Sequence, residues 1–163
     1  MTMIGKCLLE TDGYQVLFQL KHLDTSKEYF DAVIELMLDP HLTEVSLKSV
    51  PTFIAISDLQ ELVTYFDRHI ARLQQNPSSE SDTFVPKELG FQVKALSGEI
   101  ISPTEGEFSL LFMVNVGRSN EEVSSTYFGG ESEVTLENIQ KFKSSVQASL
   151  VELSARLAFK LYV

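Results

Sequence analysis

Cysteine is nearly absent from this chain. Cys7 is the only one in 163 residues, which excludes an internal disulfide and a cysteine-built zinc site. Histidine is almost as sparse. His22, His41 and His69 stand at no helical metal spacing, and no His-Glu-x-x-His is present. There is no Gly-x-x-x-x-Gly-Lys phosphate loop, no Gly-x-Gly-x-x-Gly dinucleotide turn and no Gly-x-Ser-x-Gly nucleophile elbow. No apolar run approaches the ~18 residues of a transmembrane helix. Met1 to Glu10 does not read as a signal peptide, and with one thiol in the chain a reducing, cytoplasmic setting is expected. Positive charge is short as well: 13 Lys and Arg face 23 Asp and Glu, a net charge of −10 with a pI near 4.7. That balance argues against nucleic acid and anionic membranes as partners and allows a basic protein partner.

What is present fits one globular domain, residues 1–163. Apolar residues make up 44% and charged ones 22%, and the length is enough to bury a core. No repeat or low-complexity stretch divides it. The acidity is uneven. Residues 76–135 hold ten Asp or Glu against three Lys or Arg, a net of −7. Residues 1–75 carry eleven against six, or −5, and residues 136–163 two against four, or +2. The middle stretch reads either as solvated loops and strand edges or as a surface for a basic partner.

Along the chain, Lys6–Thr11 and Tyr14–Leu20 are apolar runs joined by Asp12-Gly13, a hairpin signal. Tyr29–Leu38 fits a strand better than a helix, and Thr43–Val50 alternates until Pro51 stops it. Ser57 and Gln60 form a capping-box pattern. The stripe Leu59, Leu62, Val63, Phe66, Ile70 and Leu73 predicts a helix over about 57–75, closed by Asn76-Pro77. Leu89–Ser97 and Glu107–Gly117 read as strands around a Pro103–Gly106 turn. The second carries Phe108, Leu110, Phe112, Val114 and Val116 on one face, with Leu111 and Met113 opposite, as in a central strand. Thr126–Val134 reads as an edge strand with Gly129-Gly130 as a bulge or bend.

The longest element is the last. Leu136, Ile139, Phe142, Val146, Leu150, Leu153, Leu157 and Leu161 recur at spacings of three and four, behind Thr135 as N-cap and Glu137 in the first turn. The fold expected is α+β: a mainly antiparallel sheet of six to seven strands, with helices over about 57–75 and 136–161 packed on one face. Past Leu150 a second stripe appears, Val151, Ala155, Ala158 and Tyr162, with Phe159 on a further face. A face this wide implies cover by the first helix or a homodimer contact, unless Ala158–Val163 leaves the helix as a short strand.

The chemistry on offer is mostly carboxylate. Glu131 and Glu133, two apart on a strand, point the same way and suit a cation or a basic side chain. Glu105 and Glu107 flank a turn glycine in the same manner. Glu121 and Glu122 add charge just upstream. Tyr127-Phe128-Gly129-Gly130-Glu131 is the most unusual local string: two aromatics supply contact area beside glycines that admit close backbone approach. Cys7, in an apolar run beside Leu8 and Leu9, reads as a buried inert thiol. His69 reads as a surface or boundary histidine. No catalytic residue, metal or cofactor is expected.

The element order resembles that of the WapI-like immunity proteins, small bacterial proteins made beside contact-dependent toxins. The matching segments are Tyr14–Leu20, Tyr29–Leu38 and Thr43–Val50, then Ser57-Asp58-Leu59-Gln60-Glu61-Leu62, Phe91–Leu96 with Phe108–Val116, and Val134-Thr135-Leu136 leading into the last helix. The resemblance lies in architecture and hydrophobic spacing over most of the chain. It implies stoichiometric neutralisation of a toxin domain, without catalysis. On this reading Glu121, Glu122, Glu131 and Glu133 substitute for phosphates in a basic nucleic-acid cleft. Two other readings stay open. One is a small-molecule binding protein, or an enzyme with a dispersed site between sheet and helices, favoured by a pocket holding a histidine and a carboxylate. The other is a structural subunit with a large exposed apolar area.

Overall fold

The structure, a computed structural model, describes residues 2–22, 28–120 and 124–160. In chain order its elements are β1 (Thr2–Glu10), β2 (Tyr14–His22), β3 (Tyr29–Leu38), β4 (Ser46–Lys48), β5 (Thr52–Ala55), α1 (Ile56–Gln75), β6 (Phe91–Ser102), β7 (Glu105–Gly117), β8 (Thr126–Thr135) and α2 (Leu136–Lys160). The fold is α+β, as expected. The single sheet of six to seven strands is replaced by two antiparallel sheets. One runs β1-β2-β3-β4 with β5 also on β3, and the other runs β6-β7-β8.

The extra strand comes from the chain around Pro51. The predicted run Thr43–Val50 shrinks to three residues, and Thr52–Ala55 becomes a second short strand farther along β3. Pro51 has no N–H for the ladder. Ser49 bridges the gap: its N–H donates to the Ile34 carbonyl (2.7 Å) and its hydroxyl accepts the Ile34 N–H (2.9 Å).

The second sheet exists because β6 and β7 carry apolar inner faces that need cover. Phe91, Val93 and Ala95 on β6 and Phe108, Leu110, Phe112 and Val114 on β7 are all buried. Facing them are Val16, Phe18 and Leu20 of β2 and Phe30, Ile34 and Leu36 of β3. Phe18 lies where everything meets, with ring centroids 5.3 Å from Phe91, 6.0 Å from Phe112 and 5.3 Å from Phe142 of α2. The sheets therefore cover each other, and the helices close the remaining sides. This corrects the expectation of two helices on one face of one sheet: α1 packs chiefly on β6 and α2 along β1. Two backbone bonds tie the sheets at their ends, from Asp12 N–H to the Glu133 carbonyl and from Val50 N–H to the Asn115 carbonyl (2.9 Å each).

α2 forms as its periodicity predicts. Leu136, Ile139, Phe142, Val146 and Leu153 are buried, and Leu150 and Leu157 pack against the core. The Thr135 hydroxyl accepts the Asn138 N–H (3.2 Å), a true N-cap. The helix runs antiparallel to β1: Asn138 Nδ2 reaches the Glu10 carbonyl at one end, and Ser149 lies against Gly5 and Cys7 farther along. Residues 158–160 remain helical; Leu161 to Val163, including Tyr162, lie outside the described residues.

α1 also forms, but without its predicted capping box. Ala55 is the N-cap and makes no side-chain bond. β5 runs straight into the helix, and the Ile56 N–H is satisfied by the Glu28 carbonyl (2.8 Å). Ser57 instead meets the Lys87 ammonium, and the Asp58 carboxylate accepts the Lys87 N–H. The buried stripe contains His69 where Ile70 was expected to lead.

β7 is the central strand of its sheet, as its two-sided apolar pattern implies, with one departure. Val116 is exposed and Asn115 is buried, so the alternation stops at Val114. β8 is an edge strand, yet Gly129 and Gly130 pair in unbroken register with Met113 and Phe112. The bulge expected there is absent. Gly129 is needed for a different reason: a Cβ on it would sit 1.8 Å from the Phe112 carbonyl oxygen.

Candidate functional site

The three-stranded sheet turns one face to the core and one outward. Strand alternation decides which residues go where. On β8, Tyr127, Glu131 and Glu133 take the outer face, whereas Phe128, Gly130, Ser132 and Val134 pair with the core-facing residues of β7. Glu131 and Glu133 therefore do point the same way. Glu107 lies opposite Thr135, diagonal to Glu133, and Glu99 of β6 lies directly opposite Glu107. Asp12, at the tip of the β1–β2 hairpin, is brought in by its backbone bond to Glu133. Beside them, Glu99, Glu105, Glu107 and Glu137 wall a shallow cleft of about 330 Å³.

This face is a concentration of negative charge. Among the described residues, Asp12, Glu99, Glu105, Glu107, Glu131 and Glu133 form no ion pair; the one lysine in register with Glu131, Lys94, is held by Glu80 (2.9 Å). The crowding registers on Glu133. Repulsion from Glu107 pushes its carboxyl above the ordinary value, with partial desolvation, a carboxyl–carboxyl hydrogen bond to Glu107 and the charge of Asp12 acting in the same direction. Like charges at this spacing favour whatever cation arrives: a proton, or a basic side chain from outside. No group of three or more His, Cys, Asp and Glu among the described residues is arranged to hold a metal ion.

The structure sorts the other predicted site residues. Glu121 and Glu122 lie outside the described residues. Tyr127 and Phe128 point to opposite faces of β8, so they do not form one aromatic patch. The Tyr127 hydroxyl donates to the Leu89 carbonyl (2.8 Å), while Phe128 is 58% exposed. Val151 and Phe159 are 68% and 73% exposed, and Ala155 and Ala158 are exposed with them on the outer side of α2. The first helix does not cover this stripe.

His41, His69 and Cys7 are accounted for locally. His41 is exposed and bonds to Asp39, whose carboxyl is held low by the His41 backbone N–H and side chain. His69 is not a surface or boundary residue. It is fully buried under β6, edge-on to Phe108, with ring centroids 4.7 Å apart. Its Nε2 faces the Leu96 carbonyl (2.9 Å), which can only accept, so Nε2 carries the hydrogen. Its Nδ1 accepts from Ser81 Oγ (2.9 Å), which in turn receives Arg72 (3.4 Å). Burial pushes this imidazole below the ordinary histidine value, and Arg72 adds to the effect against the Leu96 carbonyl. Cys7 is buried beside Ser149, and burial pushes its thiol up. No histidine lines the clefts around Val50–Arg118, Glu99–Glu137, Tyr65–Phe84, Pro103–Ser144 or Glu28–Lys87.

What reasoning along the chain could not supply is the partnership of Glu133 with Glu107, Glu99 and Asp12. The only signal was the pair of i, i+2 carboxylates on each strand; the strand register joins them. No protein-family model matches the chain, and no curated protein matches its sequence. No helix among the described residues is long and apolar enough to cross a membrane.

Proposed function

We propose that this is a non-catalytic binding domain that engages a basic protein through the outer face of β6–β8. The observation that carries the reading is the crowding of Glu133 by Glu107 and Asp12, with no ion pair among the described residues to relieve it. A lysine or arginine from a partner supplies the missing charge, and five carboxylates on the sheet face with Asp12 of the β1–β2 hairpin beside them give it several places to bind. The sharpest form of the reading is immunity-like. The partner is then a toxin domain bound stoichiometrically, as the resemblance to WapI-like proteins implies, and the net charge of −7 over residues 76–135 suits a basic nucleic-acid cleft in which carboxylates stand in place of phosphates.

The test is affinity purification from the native host with the wild-type chain and with Glu107→Lys, Glu131→Lys and Glu133→Lys combined. Recovery of a basic protein by the wild type, and its loss with the reversed face at unchanged melting temperature, is the expected result. A partner retained equally by both chains overturns the reading. Binding is also expected to weaken with added salt and as the pH falls through the raised titration of Glu133.

A further inference from the structure

A second cleft lies away from the acidic face, where the two sheets meet. It has a volume of about 520 Å³. One wall is Val50 and Pro51 with the first residues of β5, Thr52 and Phe53, and another is Asn115 and Gly117 at the end of β7 with Arg118 just beyond it. The segment 87–89 before β6 lies across from them. Its composition is unlike the rest of the surface. Val50, Phe53 and Leu89 present exposed apolar side chains to it. Lys87, whose ammonium also reaches Ser57 Oγ (3.4 Å), and Arg118 stand in the same wall, and neither forms an ion pair among the described residues. Set against the carboxylate of Glu88, they leave the described residues of the wall with a net charge of +1, in a chain whose total is −10.

The cleft is also held open by design of its backbone. Leu89 has φ of +56°, the left-handed region that a side chain of this kind rarely adopts. It is kept there from several directions. Its N–H donates to the Pro86 carbonyl (3.0 Å), and its own carbonyl accepts from Asn115 Nδ2 (3.0 Å) and the Tyr127 hydroxyl (2.8 Å). Asn115 is the residue that breaks the alternation of β7, and the cleft explains why. Besides Leu89 it binds the Gly90 carbonyl through its N–H, the Val50 N–H through its carbonyl and the Gly117 N–H through Oδ1. One buried residue, through its backbone and its side chain together, thus joins three walls. The outcome of the strain is that Leu89 stands exposed in the cleft, where it has little to gain from folding alone.

We infer that this cleft at the sheet junction binds a small amphipathic monocarboxylate, its apolar body against Val50, Phe53 and Leu89 and its carboxylate between Lys87 and Arg118. The volume suits a ligand of small-molecule size. The surplus of one positive charge matches one carboxylate, and the apolar side chains supply the burial that a purely ionic site lacks. The site is independent of the acidic face and of its partner.

The test uses the full chain with octanoate as ligand, followed by isothermal titration, with octanol as the uncharged control. Saturable one-to-one binding of octanoate is expected, with octanol at least tenfold weaker. Arg118→Gln and Lys87→Gln are each expected to weaken binding about tenfold, on the order of one charge-assisted hydrogen bond. Leu89→Gly is the decisive variant. Glycine accepts the left-handed backbone, so the fold is kept or strengthened while the apolar contact is lost, and binding drops several-fold. Absence of saturable binding overturns the inference, as does equal affinity for octanoate and octanol. Unchanged affinity in Leu89→Gly and Arg118→Gln assigns any binding to another surface and overturns it as well.

Discussion

Replacing Phe18 by alanine tests whether the two sheets share one core. The ring is fully buried on β2 and meets aromatic side chains from β6, β7 and α2. Burying such a side chain is worth on the order of 2–3 kcal/mol. Truncation leaves a cavity that four elements can fill only by moving together, which brings the expected loss to about 3–5 kcal/mol. The edge-on contacts with Phe91 and Phe112 place it toward the upper end. A domain of this size is stable by about 5–15 kcal/mol, so the variant stays folded with much of its margin gone. The assay is urea denaturation followed by far-ultraviolet circular dichroism and by tyrosine fluorescence. Both probes are expected to report one transition with a lower midpoint and an unchanged slope. Leu8→Ala, on a neighbouring strand but on the exposed side, is expected to cost under ~1 kcal/mol. Two separated transitions in the Phe18 variant, or a loss no larger than that of the Leu8 control, would show that the sheets are separate units and refute the reasoning.

Three further outcomes follow from the structure. Gly129→Ala is expected to destabilise by about 1–3 kcal/mol, because its Cβ would meet the Phe112 backbone. Gly130→Ala, with nothing within 4 Å, is expected to be nearly neutral, and equal thermal melts for the two would contradict this account of β8. Glu133 has a raised carboxyl, so the folded chain holds that proton more tightly than the unfolded one and loses stability as pH rises through the folded value. Glu133→Gln should therefore melt higher than wild type at pH 7, with the gain fading toward pH 4; a lower melting temperature at pH 7 would reverse the sign. His69 has a lowered imidazole value, so its contribution is complete above the unfolded value of about 6.5 and is lost as pH falls from there through the folded value. Its ring protons, followed by NMR, should titrate below the ordinary histidine value of about 6.5, and titration at or above that value would contradict its burial.

Much of the acidic site was half visible along the chain. Glu131 with Glu133 and Glu105 with Glu107 were legible because residues two apart on a strand share a face whatever the strand pairs with. The diagonal between Glu107 and Glu133 was not, since it depends on the register of β7 against β8 across 26 positions. The junction cleft was hidden for the same reason: Val50, Leu89, Asn115 and Tyr127 come from four separate segments. Nothing local to Leu89 announces a positive φ, which is imposed by Asn115 and Tyr127 from the other side of the site.

By itself the sequence determined the α+β class, the span and inward face of both helices, the Asp12-Gly13 hairpin, the Thr135 cap and the central place of β7. Each rests on interactions among residues a few positions apart, whose periodicity states them directly. Tertiary structure alone decided that there are two sheets, that the Ser57 capping pattern goes unused because β5 delivers the chain straight into α1, and that His69 is buried. It also decided which carboxylates crowd together and where a cleft opens. Those outcomes depend on which surfaces come to face one another, and that is settled by the packing of a whole core around Phe18, not by any stretch of chain that contains the residues concerned.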